Sequence, residues 1–365
     1  MSKLSESSVT KTTTAEDPTK TASGAKKLLG PIGFIGTGGT IASIAIDEFD
    51  FLDYNAKNDR VEAEELFEKT GLYKILQGEN PVLFSSFKAI DSTEIEPENW
   101  LTIAKECQLF ADQGVRGIVI GHGTASLEET AWVLSLVLDL KIPVVLTGSM
   151  RPLNGVSSDA GANLLAAFRV ASHDFTEKPG VLVVINDEIH YPRMVTKTHT
   201  LRVGAFQSPW HGPIGHVDGD EVNITSKRLK SRVLPSAPDL LQFAPELLGN
   251  LPRVDIVYSY IGADAIMVEA CVNAGAKGIV SAGFGPGLGS PAERDAFEAA
   301  IKGRSVTVVQ SSRLGAGLVV DSQDHKSRGI IAGNDLNPQK ARILLALCLA
   351  KGYLSEEIEE VFRAI

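Results

Sequence analysis

Two short β-branched runs constrain this chain most, because each ends in a glycine-rich turn with a threonine just past it. The first is Phe34-Ile35-Gly36-Thr37-Gly38-Gly39-Thr40-Ile41-Ala42 and the second is Ile118-Val119-Ile120-Gly121-His122-Gly123-Thr124. Glycine lets the backbone turn sharply and leaves room for a ligand beside it. In parallel α/β sheets, ligands sit beyond the carboxyl ends of the strands. Hydroxyls from Thr40 and Thr124 at that edge suggest a nucleophile and a second, separately activated oxygen.

Similar apolar runs recur between helical patterns at Ile32–Ile35, Val115–Ile120, Pro143–Leu146, Val181–Ile185, Val254–Tyr258, Ile279–Ala282 and Val306–Gln310. The alternation predicts βαβ units on a largely parallel sheet, an α/β fold. Ser126 and Glu129 have capping-box spacing ahead of an apolar stretch through Leu138. Asn337 and Pro338 read as the N-cap and first residue of the last large helix, with Gly352 placed to end it. The pattern weakens from Ser226 to Asn250. The expected order is therefore a disordered tail over 1–30, an N-terminal catalytic domain over 31–225, a linker over 226–250 and a C-terminal domain over 251–365.

A length of 365 residues suits two domains, and 44% hydrophobic with 22% charged residues is an ordinary globular balance. The net charge of -10 argues against nucleic acid or an anionic membrane as the main partner. Cys107, Cys271 and Cys348 are few and widely spaced, so neither a disulfide framework nor a CxxC metal site can be drawn. No stretch is long and apolar enough to span a bilayer, and the first thirty residues lack a signal-peptide core. A cytoplasmic location is expected. His122, His190, His199, His211 and His216 fit no HExxH spacing, so no metal is expected, and His122 reads as a loop residue bonded locally.

The first glycine turn also invites a dinucleotide-binding reading. That site needs a helix directly after the turn and an acidic residue closing the next strand. Ser43-Ile44-Ala45-Ile46-Asp47-Glu48-Phe49-Asp50 offers neither. No cofactor is therefore expected.

From about Pro31 to the C-terminus the chain resembles the bacterial-type L-asparaginase family, amidohydrolases with a threonine nucleophile. The blocks that carry the resemblance begin with Gly36 to Ala42, Gly121 to Thr124, Leu127-Glu128-Glu129-Thr130 and Thr147-Gly148-Ser149-Met150-Arg151-Pro152. Asp159, Asn163-Leu164, Thr196-Lys197-Thr198, Val280-Ser281-Ala282-Gly283 and Leu336-Asn337-Pro338-Gln339-Lys340-Ala341 continue the series. The resemblance implies a larger N-terminal domain with the catalytic loops and a smaller C-terminal α/β domain. It also implies a small-molecule amide substrate, with sites completed across a homodimer or homotetramer.

Carried over by position, Thr40 corresponds to the nucleophile, and Tyr54 to a tyrosine on a flexible loop that relays a proton and helps exclude water. Thr124 and Lys197 correspond to the second threonine and the lysine of a Thr-Lys-Asp group. On composition alone Lys197 would be a solvated surface charge. Asp91, Ser92 and Thr93 correspond to the segment that holds the substrate's α-carboxylate, although Ser92 or Thr93 would also serve as an ordinary cap for the turn through Trp100. Gly39, Gly123 and Ala125 complete the substrate-binding set, with backbone N–H groups near both threonines suited to an oxyanion.

The family pattern places an aspartate directly after the second threonine, where this chain has Ala125. That carboxylate pairs with the substrate's α-ammonium in the family. Its loss corresponds to roughly 1.5–3 kcal/mol, or roughly ten- to a hundredfold in affinity. The asparagine expected after Gly283 is replaced by Phe284-Gly285-Pro286-Gly287-Leu288, and no glutamate is evident past Ser311-Ser312-Arg313. Water or Ser126 could replace the missing carboxylate. Asparagine is the default substrate, with a succinamate-like, N-substituted or cyclic amide as alternatives. Two other classes stay open: a non-catalytic amide- or amino-acid-binding protein, and an ammonia-supplying amidotransferase subunit. The latter would be expected to carry an additional N-terminal domain.

Overall fold

The computed structural model describes residues 30–54, 56, 59–76, 81–225 and 238–365. Residues 1–29 of the expected disordered tail, and 226–237 of the expected linker, lie outside the described residues. The N-terminal strands are β1 Ile32–Gly36, β2 Val82–Phe84, β3 Gly117–Gly121, β4 Val144–Thr147, β5 Val181–Ile185 and β6 Glu188–His190. After these come β7 Thr196–Lys197, β8 Phe206–Gln207, β9 Gly215–Asp218 and β10 Glu221–Ile224. The helices among them are α1 Ala63–Lys69, α2 Tyr73–Leu76, α3 Pro97–Asp112, α4 Leu127–Val137 and α5 Ala160–Ala171. The C-terminal part holds β11 Val254–Tyr258, β12 Gly278–Gly283, β13 Thr307–Ser312 and β14 Ile331–Ala332. Its helices are α6 Ile266–Asn273, α7 Pro291–Arg304, α8 Gln323–Arg328, α9 Pro338–Ala350 and α10 Ser355–Ala364.

Eight strands form the larger sheet in the order β10-β9-β6-β5-β4-β3-β1-β2, and β11-β12-β13-β14 form the smaller one. The run from β2 to β5 is parallel, whereas β6, β9 and β10 add an antiparallel edge. This is a two-domain α/β architecture, as the resemblance implies. The expected parallel strands are present, with ends displaced by one or two residues. The antiparallel edge and the small β7–β8 ribbon are additions to the expectation.

Register explains why both glycine turns lie together. β1 and β3 pair in parallel from Ile32↔Gly117 to Gly36↔Gly121, so the two turns leave adjacent strands at the same level. The faces of β1 alternate as strand geometry requires. Ile32 and Phe34 pack with α1 and α5, while Ile35 packs with α3, α4 and α9. Because β2 and β3 flank β1 on opposite sides, the chain reverses its winding there. A crevice at the carboxyl ends of β1 and β3 follows from that reversal.

Both layers are closely packed. Phe34 stacks obliquely on Phe67 and Phe168, with ring centroids 6.3 and 5.7 Å away. The second core runs without a break from Ile118 and Trp132 into Val280, Val309 and the α9 residues Ile343 to Cys348. Residues 238–241 and 245–250 form two 3-10 turns, with Leu248 buried in that core.

Two expected helix signals are resolved differently. Asn337 caps α9 by accepting from Lys340 N–H, and Gly352 follows the helix with φ 82°, as expected. Ser126 precedes α4, but its hydroxyl does not cap the helix; it donates to the Ser92 carbonyl 2.5 Å away. The capping box is therefore replaced by a long-range tie between the two loops. Nor do Ser92 or Thr93 cap a helix through Trp100: Asp91 caps a separate 3-10 turn, and α3 begins afresh at Pro97.

At Gly117 an added Cβ would lie 2.1 Å from the Ala171 carbonyl oxygen of α5, a backbone atom that has no rotamer to yield. Gly117→Ala is expected to destabilise the protein by about 1–3 kcal/mol, as overpacking does. Thermal unfolding should show a lower midpoint, and an unchanged midpoint would contradict this packing.

Candidate active site

The first loop reaches the crevice by a backbone route that only glycine allows. Thr37 N–H continues the β1–β3 ladder onto Gly121 O at 2.8 Å. Gly39 then adopts φ 77°, ψ -166°, a conformation disfavoured for residues with a side chain. A three-residue 3-10 turn, Thr40–Ala42, follows, closed by Ser43 Oγ donating to Gly39 O at 2.9 Å. The glycine turn therefore opens into three residues of 3-10 helix and then extended chain.

The second loop approaches so closely that neither backbone could carry a side chain. A Cβ on Gly39 would lie 2.1 Å from Gly123 Cα, and one on Gly123 would lie 2.9 Å from Gly39 Cα and 2.5 Å from Ser92 Oγ. The Asp91-Ser92-Thr93 loop closes the third side. Ile90 N–H donates to Thr37 O at 2.9 Å, and Gly39 N–H donates to Ile90 O at 3.0 Å. Gly39, Gly123 and Ser92 therefore meet in one crevice and bring Thr40 and Thr124 with them.

Each threonine hydroxyl has its own proton partner. Thr40 Oγ1 and Tyr54 OH are 2.7 Å apart, both half-buried. Lys197 Nζ donates to Thr124 Oγ1 at 2.8 Å. Lys197 is half-buried, not the solvated charge its composition suggests. Burial lowers its pKa below 10.5, with the Glu128 carboxylate opposing that shift. Its neutral form is thus reached at lower pH than for a surface lysine.

Behind Thr124 lies a buried polar chain. His122 is fully buried, and desolvation lowers its pKa to about 4, so it is neutral near pH 7. Its Nδ1–H donates to Gly123 O at 2.8 Å. The Nε2 accepts from Thr130 Oγ1 at 3.0 Å, which in turn accepts from Trp100 Nε1 at 2.9 Å. His122 is bonded locally as expected, but inside the core.

The remaining sequence candidates divide by role. Ser92 is buried against Gly123, and Ala125 is exposed at the crevice. The Asp91 carboxylate accepts from Thr93 N–H at 3.0 Å, from Thr93 Oγ1 at 2.9 Å, and from Arg60 Nη2 at 2.9 Å. Asp91 thus shapes its loop and pairs with Arg60, a residue that sequence reasoning passed over. Glu128 and Gln339 were named only within motif blocks, and no local signal marked them as neighbours. Among the described residues, no cluster of three or more metal-ligating side chains occurs. A cavity of about 870 Å³ lined by Trp132, Tyr191, Met194 and Trp210 involves none of the candidate catalytic residues.

Against this geometry, residues 31–230 match the family profile "Asparaginase, N-terminal" and residues 253–362 match "Glutaminase/Asparaginase C-terminal domain". The chain belongs to the asparaginase family. It is 38% identical over 341 residues to "L-asparaginase 2" of Bacillus subtilis (strain 168), covering 92% of this chain and 87% of that protein. It is 35% identical to "Glutaminase-asparaginase" of Pseudomonas fluorescens biotype A, covering 92% of this chain and 91% of that one. Among solved structures, "Probable Cytoplasmic L-asparaginase" from Campylobacter jejuni superposes with a TM-score of 0.83 at 35% identity, covering 92% of this chain and all of that one. This asparaginase-family chain thus shares its two-domain fold with named amidohydrolases.

The Gly39–Gly123 contact can be separated from ordinary glycine strain. Gly114 has nearly the same φ, 76°, but nothing within 4 Å of an added Cβ. Gly114→Ala is expected to lose about 1 kcal/mol through its backbone alone. Gly39→Ala should lose several kcal/mol, because strain and a backbone clash combine. Equal losses in denaturant unfolding would show that the two loops do not touch.

Proposed function

We propose that the chain releases ammonia from the side-chain amide of a small carboxylic acid, with Thr40 as nucleophile. The observation that carries this reading is the pair of separate hydroxyl contacts, Thr40 with Tyr54 and Thr124 with Lys197, on loops joined at Gly39 and Gly123. Thr40 Oγ1 attacks the amide carbon and its proton is taken up as the C–O bond forms. Lys197, with its lowered pKa, is the base acting through Thr124, and Tyr54 is the proton relay. The proton then reaches the leaving nitrogen, the C–N bond breaks, and ammonia departs. Water attacks the acyl ester, releases the acid and restores the threonine. Backbone N–H groups beside the two threonines stabilise the oxyanion.

Asparagine is the default substrate in this reading, because relatives covering nine-tenths of the chain carry asparaginase or glutaminase-asparaginase names. Ala125 alters recognition of the α-ammonium: an exposed methyl group at the crevice offers no charge where the family pattern has a carboxylate. A succinamate-like ω-amide, an N-substituted asparagine or a cyclic amide then competes better. Asp91 pairs with Arg60 and takes both donors of Thr93, so these two shape the loop and Ser92 remains as the carboxylate donor. A homodimer or homotetramer belongs to the same reading, supported by the exposed Tyr258, Tyr260, Ile261 and Ile266 on and after β11. A cytoplasmic location is supported by the Campylobacter structure's name; a Haemophilus influenzae relative at 39% identity is named periplasmic.

Ammonia release from asparagine, glutamine, succinamate, N-substituted asparagine and a cyclic imide tests both parts. Thr40→Ala is expected to lose at least about a thousandfold in kcat on every active substrate. Undiminished turnover in that variant, or no ammonia in a single turnover of the wild type, would overturn the mechanism.

Ala125→Asp tests recognition separately. It should improve asparagine relative to succinamate by roughly ten- to a hundredfold. A new carboxylate beside Lys197 favours its ammonium, so the rising limb of rate against pH should also move to higher pH. An unchanged substrate ratio would dispose of the altered recognition.

A further inference from the structure

Lys197 stands on a two-residue strand, β7, which is too short to hold a side chain in place by its own ladder. What holds it comes from outside. Lys197 N–H donates to Glu128 Oε2 at 3.0 Å, and the other carboxylate oxygen, Oε1, accepts from Gln339 Nε2 at 2.6 Å. Glu128 is in the first turn of α4 and is 7% exposed. Gln339 is in the first turn of α9, in the C-terminal domain. One buried carboxylate, on the helix that follows Thr124, therefore binds both the lysine's strand and the other domain.

The next residue of α9 repeats the grip. Lys340, 2% exposed, donates to Arg193 O at 3.1 Å and to Val195 O, the two carbonyls that lead into β7. Its own carbonyl accepts from Trp132 Nε1 of α4 at 3.0 Å. Burying an ion costs several kcal/mol unless its partners compensate. Hydrogen bonds alone do not require a charge at position 128, since a glutamine amide oxygen could accept the Lys197 N–H as well.

We propose that Glu128 is the positioning residue for Lys197, fixing β7 against α4 so that the ammonium reaches Thr124, and that its carboxylate, held beside β7 by Gln339 from the C-terminal domain, supports that ammonium against the burial of its site. The catalytic consequence rests on the amidohydrolase reading; the effect on Lys197 itself does not. Charged groups that act on this cluster are Glu128 on Lys197, and Glu128, Arg193 and Asp335 on Lys340. Only Glu128 among them acts on both lysines. Removing its charge should therefore destabilise the Lys197 ammonium and make the amine available at lower pH.

The test uses Glu128→Gln, which preserves shape and, with the Gln339 amide turned over, both hydrogen bonds, but removes the charge. Competitive acylation of lysines with acetic anhydride across pH, read by mass spectrometry on the Lys197 peptide, reports the ionisation of that amine without any turnover. The labelling midpoint is expected on the order of one pH unit lower in Glu128→Gln than in the wild type. An unmoved midpoint overturns the proposal. The rising limb of kcat against pH for the amide cleaved fastest should move with the labelling midpoint. If the midpoint moves and the limb does not, the inference about Glu128 stands and Lys197 is not the base. Glu128→Ala removes the acceptor as well; its kcat should fall about a hundredfold with KM little changed, the size of effect a displaced catalytic group produces. Rate recovery by glutamine but not alanine separates placement from charge, and a wild-type kcat in Glu128→Ala overturns the positioning role.

Discussion

The contact between the backbones of Gly39 and Gly123 is the constraint from which the site follows. Two adjacent parallel strands end at the same level, and their loops can converge only because neither has a Cβ at the crossing. Strand register sets the position along the sheet, the reversal of winding between β1 and β3 opens the crevice, and the glycines let the loops close upon it. Thr40 and Thr124 are then neighbours by construction, each one residue beyond its contact glycine.

A second constraint runs between the domains. The core on one face of the larger sheet continues into the smaller sheet and α9, so the C-terminal domain is packed against the helix that follows Thr124. Of the polar groups in that seam, Glu128 bonds to β7, Gln339 bonds to Glu128, and Lys340 bonds to the turn leading into β7. Most of the residues that would touch substrate come from the N-terminal domain. The small domain contributes by fixing where the lysine stands and what charge surrounds it.

Much of this was legible in the sequence, for physical reasons specific to each element. The parallel strands β1, β3, β4, β5, β12 and β13 are apolar runs buried on both faces, and such runs stand out without any alternation, while β11 is a β-branched run with one exposed face. The antiparallel edge is different: β6, β9 and β10 have three or four residues each, partly polar, which is too short for a period to show. The ribbon that carries Lys197 has two residues per strand, so the lysine's burial could be recognised only from its motif. Ser126 misled because capping-box spacing is a local signal, while its hydroxyl answers a carbonyl 34 residues away. Glu128 gave no signal of its own, since a carboxylate in the first turn of a helix is ordinarily a partner of the helix dipole.

Trapping the acyl-enzyme tests the central claim most directly. Wild-type protein mixed with a good amide substrate, quenched in acid within one turnover and digested, should carry the acyl group as an ester on the peptide containing Thr40. An acyl group on Thr124 or elsewhere, or sustained ammonia release with the Thr40 peptide never modified, would contradict the account.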